Sequence, residues 1–232
     1  MSIVSSLAEW ALRALPAREA GRVVERVQMA LAGEDPRIGA YALECNNPQA
    51  ICFLIDVYAD LQALFKHYPR MGEVRLLDIG PAFGGSAGLL AGLHRSHFLG
   101  PKLTVSALDI TPDRERFIAF SYPYVEFMMG TIESLPAGAK WDLVYCSNAI
   151  EHMEEPEAFI KSVLAHTTGF AVFLAPYKEA QPMSLDHKSR IDEDTFTRFR
   201  VEKLRVFESA AWPTTADGTA RQQILAILRP EH

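Results

Sequence analysis

Residues 76–90 read LLDIGPAFGGSAGLL, an apolar run that ends in an acid and breaks into a turn of glycines. The run itself begins earlier, as VRLLDI over 74–79. It is short and apolar almost throughout, which is the pattern of a parallel strand covered on both faces. Gly80, Gly84 and Gly85 supply a turn in which the backbone can approach a ligand closely, and Ser86 is placed to cap the helix that follows. The stretch therefore reads as strand, glycine turn and helix, with Asp78 at the mouth of the turn.

Downstream, the same rhythm repeats. LTVSALDI (103–110), WDLVYCS (141–147) and GFAVFLAP (169–176) are further buried strands, and VEFMM (125–129) is a shorter one. Helical segments begin near Ser86, Asp113 and Pro156, so strands and helices alternate as in a doubly wound α/β sheet. The rhythm changes after a short helix at 192–200. KLRVFES (203–209) and QQILAILR (222–229) follow with no helix between them. They must pair antiparallel, because a parallel crossover needs a dozen or more residues.

Upstream, the chain is helical. Residues 4–33 are rich in Ala, Leu, Glu and Arg and break near Pro16. A second helix is announced by Asn47 as N-cap with Pro48 at its first position, and it stops before Pro69. Arg13, Arg18, Arg22 and Arg26 alternate with Glu9, Glu19 and Glu25, the pattern of a solvated helix face.

Composition narrows the function classes. Of the 232 residues, 49% are hydrophobic and 22% charged, which suits a globular chain with a full core. The net charge of −6 argues against nucleic acid as the main partner. Cys45, Cys52 and Cys146 show no C-x-x-C spacing, so neither a disulfide framework nor a zinc site is indicated, and Cys146 reads as a small core residue. No secretory leader is recognisable at the N-terminus. No apolar run approaches the roughly 20 residues that span a bilayer. The expectation is a cytoplasmic protein without a membrane span.

The turn restricts its guest. The dinucleotide fingerprint G-x-G-x-x-G is missing because Ala82 stands at its second glycine, and no P-loop lysine is present. An acid at Asp78 is awkward beside a pyrophosphate and suits an ammonium group. Asp109, at the end of the next strand, is placed to accept from a ribose diol. A nucleoside with a cationic tail satisfies both.

At this point LLDIGPAFGG resembles the first motif, D-x-G-x-G-x-G, of the class I S-adenosylmethionine-dependent methyltransferases. LTVSALDIT is similar to their second strand, MMGTIESLP (128–136) to their adenine-side loop, and WDLVYCSNAIEHMEEPEAFI (141–160) to their fourth strand and following helix. The resemblance covers residues 70–230. It implies a Rossmann-like, mostly parallel seven-stranded sheet with an antiparallel C-terminal hairpin strand. An S-adenosylmethionine-binding domain would occupy 70–232, and an N-terminal helical lid or appendage 1–69.

Carried over by position, Asp78 faces the methionine ammonium, and the backbone of Gly80, Pro81, Ala82, Phe83 and Gly84 lines the amino acid and ribose. Asp109 takes the ribose hydroxyls, Ile110 packs on the adenine, Thr131 and Ile132 lie in the adenine loop, and Asn148 lies near the methionine end. Thr131 stands where many relatives carry an acid, which leaves the adenine amino group to its hydroxyl or to Glu133.

Methyl transfer is an in-line displacement that chiefly needs alignment, and a hydroxyl acceptor also benefits from a base. His187, in the polar loop 176–192, is the preferred base. Glu151 and His152 after the fourth strand are the other candidates. His187 also reads simply as an exposed loop residue beside Asp186, and Glu151 and His152 as packing or capping residues. His67, His94, His97 and His166 read as surface or packing groups, and Tyr177 as a pocket residue.

No H-x-x-x-H spacing appears and the acids are scattered, so no metal is expected. The chain lacks the N-P-P-Y type signature of relatives that methylate amide or base nitrogens. A small-molecule or sugar acceptor, as in glycan biosynthesis, is the leading reading, with a homodimer contact as an alternative role for the N-terminal helices. The competing readings are an inactive methyltransferase-like binding protein and a nicotinamide-dependent oxidoreductase.

Overall fold

The computed structural model describes residues 10, 13–180, 183–184, 186–212 and 221–231. Most of the segment 4–12 falls outside them. Three helical stretches open the described chain: α1 (Ala17–Ala32), α2 (Pro36–Tyr41) and α3 (Asn47–Phe65). Seven strands follow as β1 (Glu73–Ile79), β2 (Lys102–Asp109), β3 (Val125–Met129), β4 (Trp141–Ser147), β5 (Thr167–Pro176), β6 (Arg200–Glu208) and β7 (Gln222–Arg229). Between them lie α4 (Gly85–Leu93), α5 (Asp113–Ser121), α6 (Pro156–Ala165) and the single turn α7 (Asp194–Thr197).

The strands form one sheet in the order β3-β2-β1-β4-β5-β7-β6. Pairing is parallel from β3 through β5 and antiparallel at β5/β7 and β7/β6. The expected doubly wound sheet with its terminal hairpin is thus the observed one. Strand order reverses between β1 and β4, which opens a crevice at their carboxyl ends.

Side-chain alternation along each strand divides the core. Leu76, Val105, Tyr145 and Val172 face α3, α4 and α5, whereas Leu77, Leu108, Val144 and Cys146 face α6 and α7. Helix α3 belongs to the first layer: Phe53, Leu54, Val57, Leu61, Leu64 and Phe65 are all buried there with the sheet. Its Asp60 carboxylate accepts from Lys203 Nζ at 2.6 Å and Arg205 Nη2 at 2.7 Å, tying the helix to the edge strand β6. Arg18, Arg22 and Arg26 are exposed, as a solvated face requires.

Three local expectations are corrected. Asn47 is not a cap, because α2 runs into α3 through a π-helical turn at Ala42–Asn46 and Asn46 keeps helical angles (φ −66°, ψ −49°). Pro48 is tolerated since it follows that widened turn, where the backbone donor it lacks is least missed. The helix expected at 192–200 is only α7, because Arg200 already pairs with Arg229 in the hairpin. Ser86 does not cap α4; Gly84 holds that place in the left-handed region (φ 83°), and the Ser86 hydroxyl turns to Asp78. Among the described residues, no helix is long and apolar enough to cross a membrane.

Candidate active site

The crevice at the strand ends is a cleft of about 1490 Å³. At its floor Asp78, the penultimate residue of β1, has 1% of its surface exposed, and Ser86 Oγ donates to its Oδ2 at 2.8 Å. Burial pushes the Asp78 carboxyl up to about 7; the Ser86 bond works against this and the charge of Asp109 adds to it. The acid is held where ionisation is costly unless a cation arrives.

The glycine turn is built by two close approaches. Gly80 takes φ 68° and its N–H donates to Leu108 O at 2.9 Å, and a Cβ there would sit 2.9 Å from that of Ala149. At Gly85 a Cβ would meet the Asn47 carbonyl oxygen at 2.8 Å. The first residue of α3 therefore rests directly on the start of α4. Ala82 adopts φ 49°, a region that an L residue other than Gly enters at a cost of about 1–2 kcal/mol.

On the adjoining strand, Asp109 Oδ1 accepts from the Thr111 N–H at 2.8 Å. Beside it Ile110 is 70% exposed, an apolar face left open to the cleft. Thr131 and Ile132 face it from the turn after β3, where Ser134 Oγ accepts from the Thr131 N–H at 3.1 Å. Glu133 lines the same wall. Asn148 follows β4 at φ 49°, a conformation Asn tolerates, and its backbone N–H donates to Leu174 O at 2.7 Å.

The other end of the cleft holds Glu151, His152 and His187. Glu151 sits in the 3₁₀ turn Ile150–His152, buried, and burial pushes its carboxyl up to about 8, helped by the charges of Glu179 and Asp186. Its backbone carbonyl accepts from Lys188 N at 2.8 Å and Ser189 N at 3.0 Å, which fastens the β5–α7 loop to the β4 turn. His152 Nδ1 lies 3.0 Å from Asp186 O, and His187 Nδ1 bonds Glu179 Oε2. The two imidazoles stand edge to face with centroids 4.9 Å apart.

Of the residues read from the sequence, all but two line this one cleft. Phe83 and Gly84 do not. The Phe83 side chain is buried against Phe117 and beneath the Arg114 guanidinium, 3.6 Å from its ring centre, so at this position only the backbone is left to the turn. Arg114 itself was not foreseen, nor were Tyr41, Asn46, Gln49 and Phe53, which line the cleft from the N-terminal helices. Arg114 lies in the first turn of the helix that follows the Asp109 strand end, a position that signals nearness to the cleft. The N-terminal group carries no such local signal. Tyr177 lines the cleft, and His94 is a core residue bonded to Tyr58 and Pro101.

Residues 77–167 match a family model described as a methyltransferase domain. Over this segment the chain is similar to a methyltransferase domain, in keeping with the resemblance of its motifs to the class I S-adenosylmethionine-dependent methyltransferases. The matched segment runs from the end of β1 into β5 and includes the glycine turn, Asp109 and Glu151. A ubiquinone biosynthesis O-methyltransferase of Rickettsia canadensis (strain McKiel) is 26% identical over 128 residues, 53% of this chain and 48% of that protein. The chain thus matches about half the length of this curated relative. Two solved methyltransferases share the fold. One, a putative enzyme from Bacillus halodurans C-125, is 17% identical, with TM-score 0.56 over 75% of this chain and 100% of that one. The other is the N-methyltransferase NodS from Bradyrhizobium japonicum WM9, solved with S-adenosylhomocysteine; it is 15% identical, with TM-score 0.57 over 91% of this chain and 98% of that one.

Proposed function

We propose that this methyltransferase domain binds S-adenosylmethionine in the cleft and methylates a hydroxyl oxygen of a small molecule or sugar. The observation that carries this reading is the buried Asp78 carboxyl beneath a glycine turn, with Asp109 at the neighbouring strand end. The residues fit the ligand: a cation-seeking acid, a second acid with one oxygen left for a diol, and the open apolar face of Ile110 for a base. When bound, S-adenosylmethionine supplies an electrophilic methyl group on a sulfonium.

The chain's own residues do the rest. Asp78 pairs with the ammonium group, which offsets the cost of ionising in a buried place. Asp109 accepts from the ribose hydroxyls, and Ile110 packs on the adenine. At the far end, His187 takes the acceptor's proton at Nε2, because Glu179 engages Nδ1 and stabilises the imidazolium that forms. The ubiquinone relative, an O-methyltransferase by name, supports an oxygen acceptor. The N-terminal segment 1–69 serves as the cover of the cleft, a role supported by Tyr41, Gln49 and Phe53 on its wall. Deleting residues 1–34 tests the outer part of it, with turnover expected to fall.

Calorimetric titration of S-adenosylmethionine, S-adenosylhomocysteine and NAD tests the cofactor. Both adenosyl ligands should bind, NAD should not, and Asp109→Ala should weaken the adenosyl ligands about 10- to 100-fold, the worth of a hydrogen bond to a charged group. Binding of NAD alone would overturn the reading. A screen with labelled methyl groups then tests the acceptor; labelling of protein or tRNA with sugars and hydroxylated metabolites untouched would refute the small-molecule assignment.

A further inference from the structure

The spacing of residues in the chain gives no sign of a metal site, yet the fold assembles one set of ligand atoms. Glu151, His152 and His187 each present one such atom, and the three lie within 4.8 Å of one another. His187 arrives from the β5–α7 loop, held there by the two bonds from Lys188 and Ser189 to the Glu151 carbonyl. Glu151 is 2% exposed, and its Oε2 is buried with no hydrogen-bond partner among the described residues. A buried carboxylate oxygen in that state calls for a proton or a cation.

Both imidazoles are already oriented for a cation. The Asp186 carbonyl and the Glu179 carboxylate can only accept, so each ring carries its proton on Nδ1 and leaves the Nε2 lone pair free. Imidazoles that bind metals are held in this way, with the second nitrogen donating to a carbonyl or carboxylate. Glu179 and Asp186 add negative charge around the set, while the nearby Lys188 Nζ is paired with Glu154 at 3.2 Å.

We propose that Glu151, His152 and His187 form a divalent-cation site of the two-histidine, one-carboxylate type, open toward the acceptor end of the cleft. Two imidazoles and one carboxylate favour a first-row transition ion over magnesium or calcium, which prefer all-oxygen shells. Three protein ligands leave coordination positions for an acceptor oxygen, whose proton a bound ion would loosen. An Nε2 that holds an ion cannot also accept a proton, so the ion would replace His187 in the base role given above. The site shares residues with that reading, and cation binding itself does not depend on it.

The test uses the full chain stripped of metal, titrated with Co²⁺ by visible absorption and with Zn²⁺ by competition. One ion per chain is expected. Glu151→Gln and His187→Ala should each weaken it by at least the 10- to 100-fold that loss of an outer-shell partner costs, and Glu179→Gln by about 10-fold. His67→Ala, an exposed histidine elsewhere, should bind normally. Titrating S-adenosylhomocysteine into the same variants reports whether they fold. No cobalt binding at millimolar ion, or equal binding by all variants, would overturn the site. Cobalt binding without adenosyl binding would sink the methyltransfer reading and leave the cation site standing; adenosyl binding without cobalt binding would do the reverse.

Discussion

Replacing Asp78 with Asn should flatten the dependence of folding stability on pH. Burial lifts this carboxyl from 3.8 to about 7, so the folded chain binds its proton more tightly than the unfolded chain does. The stabilisation is present in full below about 3.8 and is lost as the pH rises through about 7. A shift of about 3 units at 1.36 kcal/mol each amounts to about 4 kcal/mol, of which about 3 kcal/mol falls between pH 5 and pH 8. An amide cannot ionise, so the variant lacks this loss. It keeps an oxygen for Ser86 but buries an amide without a partner, costing about 1–3 kcal/mol at every pH.

The readout is therefore the slope and not the absolute stability. Urea unfolding of both proteins without ligand, at pH 5 and pH 8, measures it. Other titrating groups, Glu151 among them, act equally in both proteins and cancel. A wild-type loss within about 1 kcal/mol of the variant's would refute the claim that Asp78 is a desolvated acid. If the acid also pairs with an ammonium, adenosyl affinity should rise with pH through the same range in the wild type alone.

Three further substitutions probe the frame around the site. Leu61→Ala in α3, fully buried against the sheet, should cost about 2–5 kcal/mol in chemical unfolding, and a cost under 1 kcal/mol would mean that the helix is not part of the core. Ile110→Ala should leave stability within about 0.5 kcal/mol, because the side chain is open to solvent, while S-adenosylhomocysteine binds more weakly by calorimetry. Ala82→Gly should be neutral or stabilising by up to about 1 kcal/mol in a thermal melt, since relief of the left-handed angle outweighs the added chain entropy; a clear loss would show that the methyl group packs.

The sheet and the Asp78 end of the cleft were legible because their signals are local. A strand buried on both faces is an unbroken apolar run, and Asp78, Gly80 and Asp109 stand at strand ends that such runs mark. The far end of the cleft was legible residue by residue but not as a cluster, because His187 meets Glu151 and His152 only through a loop bonded to the Glu151 carbonyl. The N-terminal wall was hidden for a related reason. Asn47 beside Pro48 has the composition of a cap, and only the preceding π turn, which packs Asn47 on Gly85, turns it into part of a continuous helix. The packing of the Phe83 side chain beneath Arg114 was not legible, because the hand of a glycine turn decides which way its neighbour points.

The loop between β5 and α7 is pinned at both of its ends. Tyr177 bridges to Ile191 and Lys178 donates to Ile191 O at one end, and Lys188 and Ser189 are bonded to Glu151 at the other. A chain anchored in this manner can change length or composition between residues 179 and 187 while the strand ends and the cofactor wall stay in register. Under the function proposed above this segment borders the acceptor, so a graft of it between relatives would alter acceptor choice and leave the sheet intact.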